Sequence, residues 1–258
     1  LSVDEGGNFV IPLLSGHIGG ANGFAKVLAK VIKATPVVTT ATDVNKLFAV
    51  DEWAARNNMI INSMKAAKDF SAALVDGQEV GLFTDYPIIS ALPRQIVLKD
   101  KGVTGLAITK NRNVNPFDLT VQLWPRNIYL GIGCRRGTTL ESIETLVLPK
   151  LKELGIDLRT IVGVASVDLK KDEAGLLNLA AKYNWEISFF TAEELQNAAG
   201  EFSSSDFVKS VVGVSNVCER SAVLAANNGS IISSKCSLNG VTLAVAEADI
   251  VLDFEKLS

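Results

Sequence analysis

The sequence predicts a multi-domain α/β protein, with mostly parallel sheets, flanking helices and a C-terminal antiparallel hairpin. Three observations carry this. Apolar runs of strand length alternate with amphipathic stretches, the pattern of βαβ units. The loops between them are rich in Gly, Ser, Thr and Asn. Near the end, Leu238-Asn239-Gly240 separates two apolar runs, and an Asn-Gly step in that setting signals a tight hairpin.

In chain order, Asn8–Leu14 reads as a strand running into Ser15-Gly16-His17-Ile18-Gly19-Gly20-Ala21-Asn22. A helix follows, its apolar positions Phe24, Val27, Leu28, Val31 and Ile32 spaced at the 3.6-residue period. Thr35–Thr40 is a second strand, leading through Ala41-Thr42-Asp43 to a helix with Leu47, Val50, Trp53 and Ala54. A helix over Ala66–Leu74 stops at Asp76-Gly77. Val80–Asp85 and Gly105–Lys110 are strands, and Asn111–Pro125, with little period, reads as a boundary.

Beyond that boundary the alternation is regular. Asn127–Gly133 is a strand, Cys134–Thr138 a loop, and Thr139–Leu154 a helix closed by Gly155. Thr160–Val167, a helix over Lys171–Tyr183 and the strand Glu186–Phe190 follow. Thr191 and Glu194 have the spacing of a capping box opening a short helix. Ser210–Ser215 reads as a strand before Asn216-Val217-Cys218-Glu219 and a helix to Ala226. Ser230–Cys236 and Val241–Ala246 are the hairpin strands.

Composition removes several classes of function. The 258 residues are long enough to bury a core without disulfides or metals. A formal charge of −3 argues against a general nucleic-acid binder, which needs surplus Lys and Arg for phosphates. Cys134, Cys218 and Cys236 are far apart and odd in number, which points to a reducing compartment, the cytoplasm. One His and no C-x-x-C pair leave no ligand set for a structural zinc, so no metal is expected. No run approaches the roughly 20 apolar residues of a membrane span, and no basic segment leads an apolar one as in a secretory signal. The first residue is Leu1, not Met.

Four strand-to-helix loops carry the candidate chemistry, since ligands of open α/β sheets sit at the carboxyl ends of strands beside helix N-termini. The first is Gly131-x-Gly133-Cys134-Arg135-Arg136-Gly137-Thr138. Its glycines allow close backbone approach, its arginines offer bidentate donors, and Thr138 with Glu141 suits capping of the next helix, so the loop reads as an anion site. A glycine-tuned turn with exposed arginines explains it equally well. The spacing is not G-x-G-x-x-G, no acid follows as a ribose ligand would, and no Walker lysine is present. The second loop holds His17, the only His, among glycines, where a substrate can come close and a proton can move near neutral pH. A surface histidine is the plainer account. The third, Thr39-Thr40-Ala41-Thr42-Asp43, suits polar binding or orientation of His17, though N-capping alone accounts for it. In the fourth, Asn216 and Glu219 have capping-box spacing, and Cys218 would be activated only if exposed at the helix start.

Together the stretches LLSGHIGGAN, TPVVTTATD, VGLFTD, GIGCRRGT and GVSNVCERSAVLAA, in this order and spanning almost the whole chain, resemble the cobalamin-biosynthesis G (CbiG) family. The family resemblance implies three parts: residues 1–45 as the C-terminal remnant of an N-terminal domain, 46–126 as a central domain, and 127–258 as a C-terminal α/β domain. The family usually carries several tens of further residues before the position of Leu1. The implied activity is that of a cobalt-precorrin-5A hydrolase, which opens a δ-lactone with water, releases acetaldehyde and gives cobalt-precorrin-5B. The cobalt belongs to the substrate, so no cofactor is implied.

The resemblance identifies these loops, and the residues in them supply the candidates for its chemistry: His17, Asp43 and Glu219 are the catalytic candidates, with His17 activating water or serving the leaving oxygen, Asp43 orienting it, and Glu219 a reserve base. Ser15, Gly19, Gly20, Asn22, Thr40, Thr42, Gly133, Cys134, Arg135, Arg136, Gly137, Thr138 and Ser215 are the substrate-binding candidates. The expected partner is cobalt-precorrin-5A, with no nucleic acid and no membrane, and a homodimer is left open. Two other classes compete: a tetrapyrrole-binding or channelling protein without its own chemistry, and a nucleotide-dependent enzyme using the arginine loop.

Overall fold

The computed structural model describes residues 1–13, 20–38, 47–200, 202 and 216–255. It divides the chain into two compact units, Leu1–Pro125 with Val251–Ser258, and Arg126–Ile250. Among the described residues, no helix is long and apolar enough to cross a membrane.

The first unit holds two sheets. In the small one β1 (Ser2–Val3) runs antiparallel to β2 (Phe9–Ile11), and β2 runs parallel to β3 (Thr35–Pro36). Helix α1 (Ala21–Ile32) connects β2 to β3. Most of the expected 3.6-residue stripe looks outward, with Phe24, Val27 and Val31 60%, 60% and 73% exposed, while Leu28 is half-buried against the core. Instead the helix buries Asn22, Ala25 and Ala29, the last two packing with Val10. Small side chains let a helix lie close to a sheet, so the packed face is the less hydrophobic one to the eye. The strand expected over Thr35–Thr40 pairs only at its first two residues, and Thr39 and Thr40 lie outside the described residues.

The larger sheet follows helix α2 (Val50–Arg56) and comprises β4 (Met59–Ile61), β5 (Val80–Thr84), β6 (Ile96–Leu98), β7 (Gly102–Ile108) and β8 (Phe117–Pro125), with α3 (Met64–Val75) between β4 and β5. Its order is β4-β8-β7-β5-β6, parallel except for β4. Phe117–Pro125 is therefore a paired central strand, which corrects the boundary expected over Asn111–Pro125. Its alternation Phe117, Leu119, Val121, Leu123 is present, but the turn residues just ahead dilute the pattern across a wider window. Phe117 lays its ring over two glycines, Gly81 and Gly105, where an added Cβ would come within 2.2 and 2.5 Å of ring carbons. The residues after Ile250 return to this unit. Leu252 bridges Ile88, and the Trp53 ring stacks on Phe254 at 4.6 Å while its indole N–H donates to the Asp253 carbonyl.

The second unit is one five-stranded sheet. Its strands are β9 (Ile128–Cys134), β10 (Ile161–Val167), β11 (Glu186–Phe190), β12 (Ser230–Leu238) and β13 (Val241–Glu247), in the order β11-β10-β9-β13-β12. Strands β9, β10 and β11 are parallel, and β13 and β12 add the antiparallel hairpin. Its two turn residues, Asn239 (φ 50°) and Gly240 (φ 83°), are both left-handed, as so short a turn requires.

Side-chain alternation gives this sheet two unlike faces. Leu130, Ile132, Val164, Leu243 and Val245 pack beneath α4 (Leu140–Glu153) and α5 (Ala174–Tyr183), through Ile143, Val147, Leu151, Leu176 and Leu179. The opposite face is small: Ala244 and Ala246 pack against Cys218, Ala222 and Val223 of α7 (Val217–Ala225). At Gly131 a Cβ would lie 1.8 Å from the Cys218 carbonyl oxygen. That glycine serves the approach of a helix, not of a ligand. The capping box predicted at Thr191 and Glu194 forms in both directions and opens the short helix α6 (Ala192–Gln196). The strand expected at Ser210–Ser215 lies outside the described residues.

Candidate functional site

Parallel pairing aims the carboxyl ends of β9, β10 and β11 at one edge of the second unit, so the loops after Cys134, Val167 and Phe190 share that edge. The buried Ser166 hydroxyl ties two of these ends by donating to the Ile132 carbonyl at 2.6 Å.

The loop after β9 is a compact turn. The Arg135 carbonyl accepts from both the N–H and the hydroxyl of Thr138, at 3.3 and 2.7 Å, and Gly137 takes the left-handed conformation at φ 76°. Thr139 rather than Thr138 caps α4, accepting from the Ser142 N–H. This corrects the expected cap, because the Thr138 hydroxyl is already spent inside the turn.

The two arginines have different surroundings. Arg136 donates to the Asp172 carboxylate at 2.7 Å and to the Leu169 carbonyl at 3.3 Å, and its hydrogen bond holds the Asp172 carboxyl below its ordinary pKa. Arg135 is exposed, its side chain lies across the hairpin turn at Gly240, and its guanidinium has no hydrogen-bond or ion-pair partner among the described residues.

Beneath the loop sits Glu173, only 3% exposed. Its carboxylate accepts from the Gly137 N–H at 2.6 Å and from the Lys170 ammonium at 3.2 Å. In the loop read as an anion site, the Gly137 N–H is thus already occupied by the protein's own carboxylate. Gly175 completes the packing, since a Cβ there would stand 2.2 Å from the Thr138 carbonyl oxygen. Cys134 is half-buried, and desolvation pushes its thiol up, with Lys170 opposing and Glu173 adding to that rise. It is a thiol near neutral pH, not an activated nucleophile. Gly133 is held in the sheet opposite Thr242, whose hydroxyl donates to its carbonyl at 3.3 Å.

The start of α7 is closed rather than open. Asn216 adopts φ 67° and its side-chain oxygen accepts from the Glu219 N–H. Glu219, 2% exposed, does not complete a capping box. Its carboxylate accepts from the Asn216 amide at 2.5 Å and from the Lys235 backbone N–H of β12 at 2.7 Å. Both oxygens are engaged within the fold, which gives Glu219 the task of tying α7 to β12. Cys218 is buried, so desolvation pushes its thiol up to about 11, the reverse of an exposed helix-start cysteine.

In the first unit, α1 starts at Gly20 in the left-handed conformation, φ 70°, and Asn22 is buried at 2%. Ser15, His17, Gly19, Thr40, Thr42, Asp43 and Ser215 lie outside the described residues. At the ends of β5 and β7, the Asp85 carboxylate accepts from the Lys110 N–H at 3.1 Å, joining two adjacent strand ends.

Sequence reading finds the arginine loop but not Glu173, Lys170 or Asp172, which hold it from 33 or more positions away. The available signal was the charged run Asp168–Glu173 placed directly after the strand beside β9.

These features define an α/β protein whose second unit presents a basic loop, braced by the buried Glu173 and the exposed Asp172, at the carboxyl edge of a parallel sheet. Three family models match the chain in succession: Cobalamin synthesis G N-terminal over residues 1–43, Cobalamin biosynthesis central region over 48–125, and Cobalamin synthesis G C-terminus over 128–246. The chain is 34% identical over 259 residues to the cobalt-precorrin-5A hydrolase of Salmonella typhimurium, covering 95% of this chain and 73% of that one. It is 30% identical over 262 residues to the cobalt-precorrin-5A hydrolase of Priestia megaterium, covering 95% and 70%. A shorter likeness, 26% over 130 residues, joins half of the chain to 84% of Protein CobE from a Sinorhizobium species. The chain belongs to the cobalamin synthesis G (CbiG) family.

Proposed function

We propose that this chain is a cobalt-precorrin-5A hydrolase. It opens the δ-lactone of its cobalt-corrinoid substrate with water, releases acetaldehyde and yields cobalt-precorrin-5B. The observation that carries the reading is kinship over nearly the whole chain with two proteins of that name.

The chemistry sets the demands on the site. Water attack on a lactone carbonyl builds negative charge on its oxygen, which backbone N–H donors stabilise. Gly20 and Asn22, at the start of α1, together with Gly19, are the donors we assign to it. His17 takes the proton from water or serves the oxygen that leaves, and Asp43 orients it. Ser15, Thr40, Thr42 and Ser215 are assigned as polar contacts to the substrate. A corrinoid ring edged with carboxylates suits the exposed guanidinium of Arg135. Gly133, Cys134, Arg136, Gly137 and Thr138 shape the loop that carries it. Glu219 is not among the groups assigned to the substrate, because its oxygens are bound elsewhere.

The reading includes a three-part division at residues 1–45, 46–126 and 127–258, with the residues after Ile250 packing back into the first unit, a cytoplasmic setting and assembly as a homodimer, the last to be read by light scattering. The deciding experiment follows acetaldehyde release from cobalt-precorrin-5A with and without the purified chain. Acceleration by the chain, lost in His17→Ala, is the expected result. Equal release with and without protein removes the enzyme reading, and full activity in His17→Ala removes the assigned proton carrier.

A further inference from the structure

We infer that Glu173 is a positioning residue for substrate binding, fixing the Cys134–Thr138 loop so that Arg135, and not Arg136, meets a carboxylate of the substrate. The inference rests on the hydrolase reading for the identity of the ligand.

A carboxylate buried at 3% exposure is costly unless its oxygens are paired, and Glu173 is paired on both sides of the loop's base. One oxygen receives the Gly137 N–H and the other the Lys170 ammonium. Gly137 is left-handed at φ 76°, so this one hydrogen bond fixes the sharpest point of the turn. Arg136 is spent on Asp172 and on the Leu169 carbonyl, which pins the loop from outside. What these contacts leave over is Arg135. Its guanidinium rests against Gly240, where a Cβ would come within 2.8 Å of its Nε, so the hairpin turn is bare at the place the side chain crosses. An exposed guanidinium held by a rigid turn, with no hydrogen-bond or ion-pair partner among the described residues, is suited to bidentate pairing with a ligand carboxylate. The anion contact in this loop is then a side chain, and the backbone donor at Gly137 serves only to place it.

Glu173→Ala, Glu173→Gln, Arg135→Ala and the double variant Arg135→Ala/Glu173→Ala are compared with the parent chain. Equilibrium dialysis with cobalt-precorrin-5A gives Kd, and acetaldehyde release gives kcat. Loss of the loop anchor weakens binding about tenfold in Glu173→Ala with kcat within about twofold, and Gln, which keeps an oxygen for Gly137, recovers most of that loss. In the Arg135→Ala background, adding Glu173→Ala changes Kd by less than about twofold, because the anchor acts through the missing guanidinium. Unchanged Kd in both Glu173 variants overturns the inference, as does a Glu173 effect that persists in full without Arg135. If Glu173→Ala does not fold, Glu173→Met, which fills the same space without an acceptor for Gly137, takes its place with and without Arg135. A parent chain that binds but releases no acetaldehyde refutes the hydrolase reading while the Kd series still judges Glu173.

Discussion

Replacing Gly131 with Ala tests how the second unit is put together. The added methyl would stand 1.8 Å from the Cys218 carbonyl oxygen and 2.8 Å from the Ala222 nitrogen, both backbone atoms of α7. Carbon contacts relax near 3.5 Å, so the helix must withdraw by roughly 1.5 Å. It cannot do so freely. Cys218, Ala222, Ala244 and Ala246 are each no more than 1% exposed, and the buried Ser221 hydroxyl bonds to the Ala165 carbonyl on the same face. Overpacking of this kind costs about 3 kcal/mol, a large part of a typical domain's 5–15 kcal/mol. Gly155→Ala is the comparison: nothing lies within 4 Å of its added Cβ, and only its φ of 66° opposes the change. That strain costs about 1 kcal/mol. Urea titrations of the two variants and the parent, read by circular dichroism, measure both. A Gly131→Ala loss no greater than that of Gly155→Ala would show that α7 does not sit on this glycine.

Three further outcomes follow from the geometry. Glu219→Ala removes the acceptor of the part-buried Lys235 N–H and of the Asn216 amide and lowers unfolding stability by about 3 kcal/mol, measured in urea. Because burial raises the Cys218 thiol from 9.0 to about 11, the folded form keeps a proton that the unfolded chain releases. Its share of stability is therefore full below pH 9 and is lost as pH rises towards 11, a fall of about 2–3 kcal/mol that Cys218→Ala flattens in a pH series of melts. Gly240→Ala combines a φ of 83° with a clash against Arg135; substrate affinity drops more than stability does, as dialysis and melting of one preparation establish.

Local signals read well where the backbone itself imposes them. The Asn239-Gly240 turn demands left-handed residues, and the capping box at Thr191 needs only groups three apart, so both are visible in the sequence. Patterns that depend on a partner are not. The α1 stripe has the right period, yet Ala25 and Ala29 win the buried face because small residues permit close contact with Val10. Gly131 reads as a ligand glycine until α7 is seen above it. The arginine pair looks symmetric in sequence, and only the fold, by bringing Asp172 and Glu173 under the turn, separates Arg135 from Arg136. Cys218 carries the residue type of a reactive thiol, but its burial is a tertiary fact.

The return of the chain after Ile250 bears on how the protein is made. Trp53 waits for the Asp253 carbonyl, 200 positions later, and for the Phe254 ring that stacks on it. On a ribosome adding 5–20 residues per second, that delay is about 10–40 s. Throughout it the aromatic clasp of the first unit stays unfastened, while the whole of the second unit is synthesised in between. Asn127 and Ala248, joined by hydrogen bonds of 2.8 and 3.0 Å, act as the gateposts of that insertion. The nascent chain thus closes the later-starting module before it can finish the earlier one.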